Sequence, residues 1–257
     1  MSINTQSVFF STTTIDDTNA SIDFNEGAGE ITVTLSYGSY APEELLVELK
    51  TQMDAGGTLV YTVSLDRDTR AVTISSTANF DLLISTGTTV DVSAWLELGF
   101  SGGADLTGAT THTSTSGMAT EYIPQFILQD YVESKNYKEK ISPTVNESAS
   151  GELEVVSFGT RNFFEMSFKF ITNLVMDGVY IRNNPTGEDD FRAFMDNAIE
   201  KGPIEFMPDR SSRSTYFTLI LESTSGNSKG TGYKLMELTG KNMPEIYELN
   251  KVKFRVK

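Results

Sequence analysis

Apolar and polar side chains alternate along much of this chain, and the period of the alternation predicts its elements. Ile31-Thr32-Val33-Thr34-Leu35 repeats every two residues, as a strand with one buried face does. Gly38-Ser39-Tyr40 reads as a turn, after which the period changes. Leu45, Leu46, Leu49 and Met53 share one face at helical spacing. Pro42, Glu43 and Glu44 supply the proline and acid that a helix start favours, and Gly56-Gly57 ends the run. Val60-Tyr61-Thr62-Val63 and Val72-Thr73-Ile74 flank the polar Asp66-Arg67-Asp68-Thr69, the pattern of a hairpin. Phe80-Asp81-Leu82-Leu83-Ile84 is a further apolar segment. Ser93 to Phe100 predicts a short helical turn closed by Gly99, with Trp95 and Phe100 as core anchors.

The pattern lapses over residues 101–120, where Gly, Ser, Thr and Ala dominate after Leu106. A stretch so poor in large apolar side chains has little burial to offset its ordering entropy, so an extended linker or crossover is expected. Strand periodicity then resumes. Leu153 to Phe158 and Phe163 to Phe170 predict strands, the second with Phe164, Met166, Phe168 and Phe170 on one face. Phe191, Phe194, Met195 and Ile199 fit a helix stopped by Gly202-Pro203. Ile204 to Met207, Tyr216 to Leu221 and Tyr233 to Leu238 are further strand candidates. The last segment alternates Val252, Phe254 and Val256 with Lys251, Lys253, Arg255 and Lys257.

Charge divides the chain at the same place. Residues 1–120 hold 15 Asp and Glu against 3 Lys and Arg, whereas residues 121–257 hold 20 against 17. Two such unlike surfaces in a 257-residue chain predict two domains. The expected division is an acidic β-rich module at 1–105, a Thr/Ser/Gly linker at 106–120, and an antiparallel β-sandwich flanked by one amphipathic helix at 121–257. The expected fold class is mainly β with minor α. A net charge of −15 argues against direct nucleic-acid binding, which needs clustered cations. No apolar run reaches the roughly 18 residues of a membrane span. The N-terminus lacks the basic and apolar regions of a signal peptide. Absence of cysteine excludes disulfides and thiolate metal sites, and synthesis in a reducing cytoplasm is the simplest reading.

Candidate chemistry is sparse, and neither catalytic, cofactor nor metal residues are assigned. The single histidine, His112, falls in the expected linker, so it reads as solvated rather than as a general base. Asp66-x-Asp68 lacks the glycine and closing glutamate of a calcium loop and reads as a hairpin turn. Glu188-Asp189-Asp190 reads as an acidic first helical turn. Gly226, Gly230 and Gly232 lack the Lys-Ser/Thr of a phosphate loop. Trp95 reads as a core anchor before a ligand platform, and Phe168 and Phe194 as anchors of the second core. Lys251, Lys253, Phe254 and Arg255 lie on a strand that looks like a sheet edge. They either protect that edge or form an assembly interface to an acidic neighbour.

Two resemblances add to this. Gly38, Tyr40, Glu44 and Leu45, followed by Phe80-Asp81-Leu82-Leu83, Leu98-Gly99-Phe100 and Asp105-Leu106-Thr107-Gly108, resemble a module common in virion proteins over about residues 30–110. The order of strands, helix, hairpin and terminal strand over 125–257 is similar to tail-tube subunits and distal tail proteins of tailed bacteriophages. Ser142-Pro143-Thr144-Val145, Ile204-Glu205-Phe206-Met207-Pro208-Asp209 and Gly232-Tyr233-Lys234-Leu235 carry that likeness. The resemblance implies a non-enzymatic structural protein of a phage tail tip or baseplate, without cofactor, made in the host cytoplasm and located in the virion. It implies a homo-oligomeric ring joined to other tail proteins. The alternatives are a neck, tail-completion or tail-tube protein, or a carbohydrate-binding adhesin with Tyr37, Tyr40 and Tyr61 as aromatic platforms.

Overall fold

The structure, a computed structural model, describes residues 7–101, 103–122, 137–147, 153–171, 191–200, 202–223, 236–237 and 247–257. Its strands are β1 (Val8–Phe10), β2 (Thr13–Ile15), β3 (Ser21–Asn25), β4 (Glu30–Thr34), β5 (Gly38–Tyr40), β6 (Tyr61–Leu65), β7 (Val72–Leu82), β8 (Leu106–Thr113), β9 (Glu121–Tyr122), β10 (Tyr137–Glu147), β11 (Leu153–Ile171), β12 (Ile204–Met207), β13 (Phe217–Ser223), β14 (Met236–Glu237) and β15 (Tyr247–Val256). The helices are α1 (Pro42–Gly56) and α2 (Phe191–Glu200). The fold is mainly β with minor α, and the pairings between strands are antiparallel.

The acidic module is a sheet ordered β4-β3-β7-β6, with β8 on β7, beside the small β2-β5 sheet. Helix α1 buries Leu45, Leu46, Leu49 and Met53, the face its spacing predicts. Glu44 accepts the Ala41 N–H at its start. The core continues through Phe24, Tyr61 and Phe80, whose rings meet edge to face at 5.8 and 5.2 Å. Trp95 is buried in the same core, 5.3 Å from the Phe100 ring. Gly99 makes that turn possible. Its φ of 83° lies in the left-handed region, and a Cβ there would collide with the Ser116 carbonyl.

Three expectations for this half are corrected. Gly38–Tyr40 is strand β5, paired with β2, rather than a turn. The linker expected at 106–120 begins with an eight-residue strand, β8, paired along β7. Thr is a good strand former, and β7 supplies an ordered backbone to pair with, so a strand can form here with few buried apolar side chains. His112 is therefore not solvated. It is buried, its Nε2 lies 2.8 Å from the Phe80 carbonyl oxygen, and its ring stands edge-on to Phe80 at 4.6 Å.

The second half is an eight-stranded sheet in the order β10-β11-β15-β13-β12-β1-β9, with β14 on β15. Its first corrected expectation concerns the N-terminus. Val8–Phe10 belongs to this sheet, between β12 and β9, rather than to the acidic module. The module is thus an insertion whose two ends leave through neighbouring strands. Ser11 and Thr120 close that neck, with the Ser11 N–H donating to the Thr120 carbonyl at 2.9 Å and the Thr120 N–H donating to Ser11 Oγ at 2.8 Å. The second correction concerns β15, which is paired on both sides by β11 and β13 and is no edge.

Strand alternation gives the large sheet two covered faces. Phe9, Phe164, Met166, Phe168, Ile204, Phe206, Leu219, Val252 and Phe254 form a core with Phe194, Met195 and Ala198 of α2. Val8, Phe10 and Met207 point the other way and pack with Leu65 and Ala119 of the module. The Glu188-Asp189-Asp190 and Gly226 to Gly232 segments lie outside the described residues.

Candidate functional site at the module junction

Residues 1–120 contain only three cations, Lys50, Arg67 and Arg70. Two of them lie at the junction with the large sheet. The β6–β7 loop places them: Asp66 Oδ1 accepts the backbone N–H of Asp68 at 2.9 Å and of Thr69 at 3.4 Å, as a hairpin aspartate does. Arg67 then spans the junction. Its Nε donates to Glu205 Oε1 at 2.8 Å and its Nη2 to Glu43 Oε2 at 2.7 Å. Its guanidinium carbon stands 3.6 Å from the centre of the Tyr216 ring.

Glu205 sits in the middle of β12, opposite Phe10 on one side and Thr218 on the other. Its side chain is fully buried, and Oε2 has no hydrogen-bond partner among the described residues. Burial pushes its carboxyl above the usual range, and Arg67 offsets only part of that rise. For Arg67, burial acts to lower the guanidinium, but Glu205 and Glu43 hold it above its ordinary value.

A second arginine braces the first. Arg213 Nη1 donates to the Arg67 carbonyl at 2.6 Å and Nη2 to Glu121 Oε1 at 2.9 Å. Arg70 Nη1 donates to the Ala119 carbonyl at 3.2 Å. Behind the neck, the Thr12 N–H donates to Asn197 Oδ1 at 3.0 Å and Thr12 Oγ1 to the Pro203 carbonyl at 2.7 Å. The junction is thus a buried, charge-paired joint that sets the orientation of the module on the sheet.

The residues singled out from sequence lie elsewhere. Trp95 and Phe100 anchor the module core, while Phe168, Phe194 and Phe254 anchor the core of the large sheet. Lys253 lies 2.7 Å from Glu222 and 3.9 Å from the centre of the Phe163 ring, and Arg255 is partly exposed. The Lys251 side chain lies outside the described residues. Of the tyrosines considered as platforms, Tyr37 is exposed and Tyr40 donates to the Ser36 carbonyl. Tyr61 is fully buried and donates to Glu26, so it offers no platform. Asp66 is engaged in its own loop, the Asp68 carboxylate lies 3.4 Å from Arg213, and no cluster of three metal-ligating side chains occurs among the described residues. Arg67 and Glu205 were missed as a pair. The available signal was scarcity: an arginine in a module with three cations marks a place where a cation is needed.

Acidification should act on the module through its carboxylates. Burial raises the carboxyls of Glu26, Glu48 and Asp105, but hydrogen bonds overcome this and hold all three below the usual range. The Asp68 N–H lowers Asp66 first, with Thr69 adding to it. Depressed values mean that this stability is present above the ordinary carboxylate range, about pH 4, and is lost as pH falls through the folded values. Glu205 has the opposite sign, its ionised form becoming a burden as pH rises through its raised value. Urea unfolding followed by Trp95 emission should therefore show a midpoint that falls steeply below about pH 4. A midpoint that holds or rises there would contradict the assignment.

No helix among the described residues is long and apolar enough to cross a membrane. No protein-family model and no curated protein matches the chain.

Proposed function

We propose that this protein is a structural subunit of a phage tail tip or baseplate that assembles into a ring through its large sheet and carries the acidic module as a fixed appendage. The reading assigns it no turnover and places it in the virion, joined to other tail proteins. The observation that supports assembly is the β10–β11 ribbon. The pairing of β11 with β15 begins at Phe163, so, among the described residues, 153–162 pair with β10 alone. That ribbon runs about 30 Å beyond the sheet at the usual rise per residue. A two-stranded ribbon in water is marginally stable, and an unpaired edge is a template for another chain. Within the described residues β10 is the end of the sheet path. Pro143 lies on it beside a register shift, where a residue without an N–H is tolerated at an edge. Edge contacts repeated head to tail close into rings when the rotation allows.

The isolated protein should sediment as a closed oligomer and appear as rings by negative-stain microscopy. Replacing residues 142–159 with Asn-Gly shortens the ribbon while keeping the Ile141–Thr160 pair next to the turn. That variant should keep its circular dichroism spectrum and become monomeric. Rings formed by the shortened variant, or a parent that stays monomeric at every concentration, would refute the ribbon as the assembly element.

A further inference from the structure

Strand β8 pairs with β7 alone among the described residues, so one of its sides is open. The Ser114 N–H, just past its end, donates to the Val72 carbonyl at 2.8 Å, so that backbone group faces β7. Antiparallel pairing alternates, and Ala109, Thr111 and Thr113 therefore turn their N–H and C=O groups outward. Thr73 and Thr113 agree with this register. They form a pair without mutual backbone bonds, where side chains come closer, and their hydroxyls lie 3.0 Å apart. The outward groups have no hydrogen-bond partner among the described residues.

An open edge is a template for another strand, and proteins guard it with charge, proline or a covering element. Two other outer strands of the module are guarded. Glu30 begins β4, and Asp54 of α1 accepts the Tyr61 N–H of β6 at 2.8 Å. β8 has no guard of that kind. Residues 106–120 contain no Asp, Glu, Lys, Arg or Pro. Gly108, with a φ of 71° and its N–H bonded to Asp81, interrupts the start of the strand, but the run from Ala109 to Thr113 lies beyond it. Thr110, Thr111 and Thr113 are exposed.

We infer that β8 pairs with β8 of a second copy, antiparallel across a two-fold axis, and so joins two modules into one continuous sheet. The open backbone calls for a strand, and charge selects which one. Two-fold pairing sets Thr and Ala of one copy against Thr and Ala of the other, and no charge meets its own image along the paired run. Hydroxyl pairs of the same kind already join β7 to β8, at Thr73–Thr113 and Ser75–Thr111. Self-pairing suits the other edges less well, since β4 carries Glu30 and β10 carries Lys138, Glu139, Lys140 and Pro143. An isologous pair also closes on itself and leaves neither β8 edge open. This contact goes beyond the ring-forming role and stands whether or not the ribbon forms rings.

Outside the paired strands, the 15 acids and 3 cations of residues 1–120 make two modules repel each other. Salt should therefore strengthen the contact, because it screens that repulsion and the paired run has no charges to weaken. The full-length protein and the ribbon-shortened variant, whose module is intact, are compared by sedimentation velocity and amide hydrogen exchange. NaCl is raised from about 0.01 M to about 1 M, over which the screening length falls from about 30 to about 3 Å. The shortened variant, a monomer at low salt, should become a dimer. The amides of Ala109, Thr111 and Thr113 should become protected as it does. Thr111→Pro removes one outward N–H without touching the ladder to β7, and Thr113→Glu sets like charges within the paired run. Each should weaken dimerisation about tenfold or more while the circular dichroism spectrum is kept. Thr62→Glu adds the same charge on exposed β6 and should dimerise at high salt as its parent does. Unprotected amides at high salt, dimers that salt dissolves, or undiminished pairing by both edge variants would overturn the assignment. Protected amides in a protein that stays monomeric would give the edge to a segment of the same chain and overturn it too. Rings without amide protection would overturn it and leave the ring reading standing, whereas protected dimers without rings would do the reverse.

Discussion

Arg67→Ala should destabilise the protein by about 3–5 kcal/mol, because removal of one partner leaves a buried charge uncompensated. Glu205 is fully buried, and one of its oxygens already has no hydrogen-bond partner among the described residues. Without Arg67 its other oxygen loses the donor at 2.8 Å as well. Loss of the contact over Tyr216 adds to the cost. The sign of the Glu205 shift gives a second readout. Its carboxyl is raised by burial even with Arg67 present, so without Arg67 it should rise further. The deficit of the variant should therefore shrink as pH falls and Glu205 takes up a proton. Arg67→Ala with Glu205→Leu should recover most of the loss, since an apolar side chain in that place needs no cation. Urea unfolding of the two single variants, the double variant and the parent isolates the coupling. A loss under about 1 kcal/mol for Arg67→Ala, or no recovery in the double variant, would show that the pair does not hold the junction.

Phe9→Ala should cost about 3–5 kcal/mol, as truncation of a fully buried aromatic does. The Phe9 ring lies 4.7 Å from both Phe194 and Phe206, and 6.4 Å from Phe254. One side chain near the N-terminus therefore joins α2, β12 and β15. Phe9→Leu should keep most of the stability, because it retains apolar volume in the same place. The effect is read from denaturant unfolding by circular dichroism. A change within about 0.5 kcal/mol, the range of ordinary surface substitutions, would place β1 outside the large sheet.

Elements whose own side chains carry their period were readable from the chain. Leu45, Leu46, Leu49 and Met53 mark α1 because their burial follows from helical spacing alone. The hairpin around Asp66 was readable because turn chemistry is local. Phe164, Met166 and Phe168 share a buried face, as their alternation implies. What escaped depends on partners distant in sequence. Val8-Phe9-Phe10 is too short to show a period, and its place is decided by Met207, Phe206 and Glu205. β8 is polar by composition, and its pairing with β7 is invisible in its own residues. The alternation of β15 is equally compatible with an edge and a central strand, and only its neighbours β11 and β13 decide. The junction escaped for the same reason: Arg67 and Glu205 are 138 positions apart.

The closed neck at Ser11 and Thr120 has a consequence for synthesis. Phe9 leaves the ribosome long before its pairing partner Phe206, which follows 197 positions later. At ordinary elongation rates that interval is roughly 10–40 s. During it, the module between the neck residues has every strand of its own sheet and can close its core around Trp95. The nascent large sheet, by contrast, cannot complete itself until β15 inserts between β11 and β13. The chain should therefore pass through a long-lived nascent state in which a finished acidic unit follows an apolar Val8-Phe9-Phe10 strand that has β9 on one side and still lacks β12 on the other. The 15 carboxylates of the first 120 residues would then serve that intermediate as a built-in solubility tag.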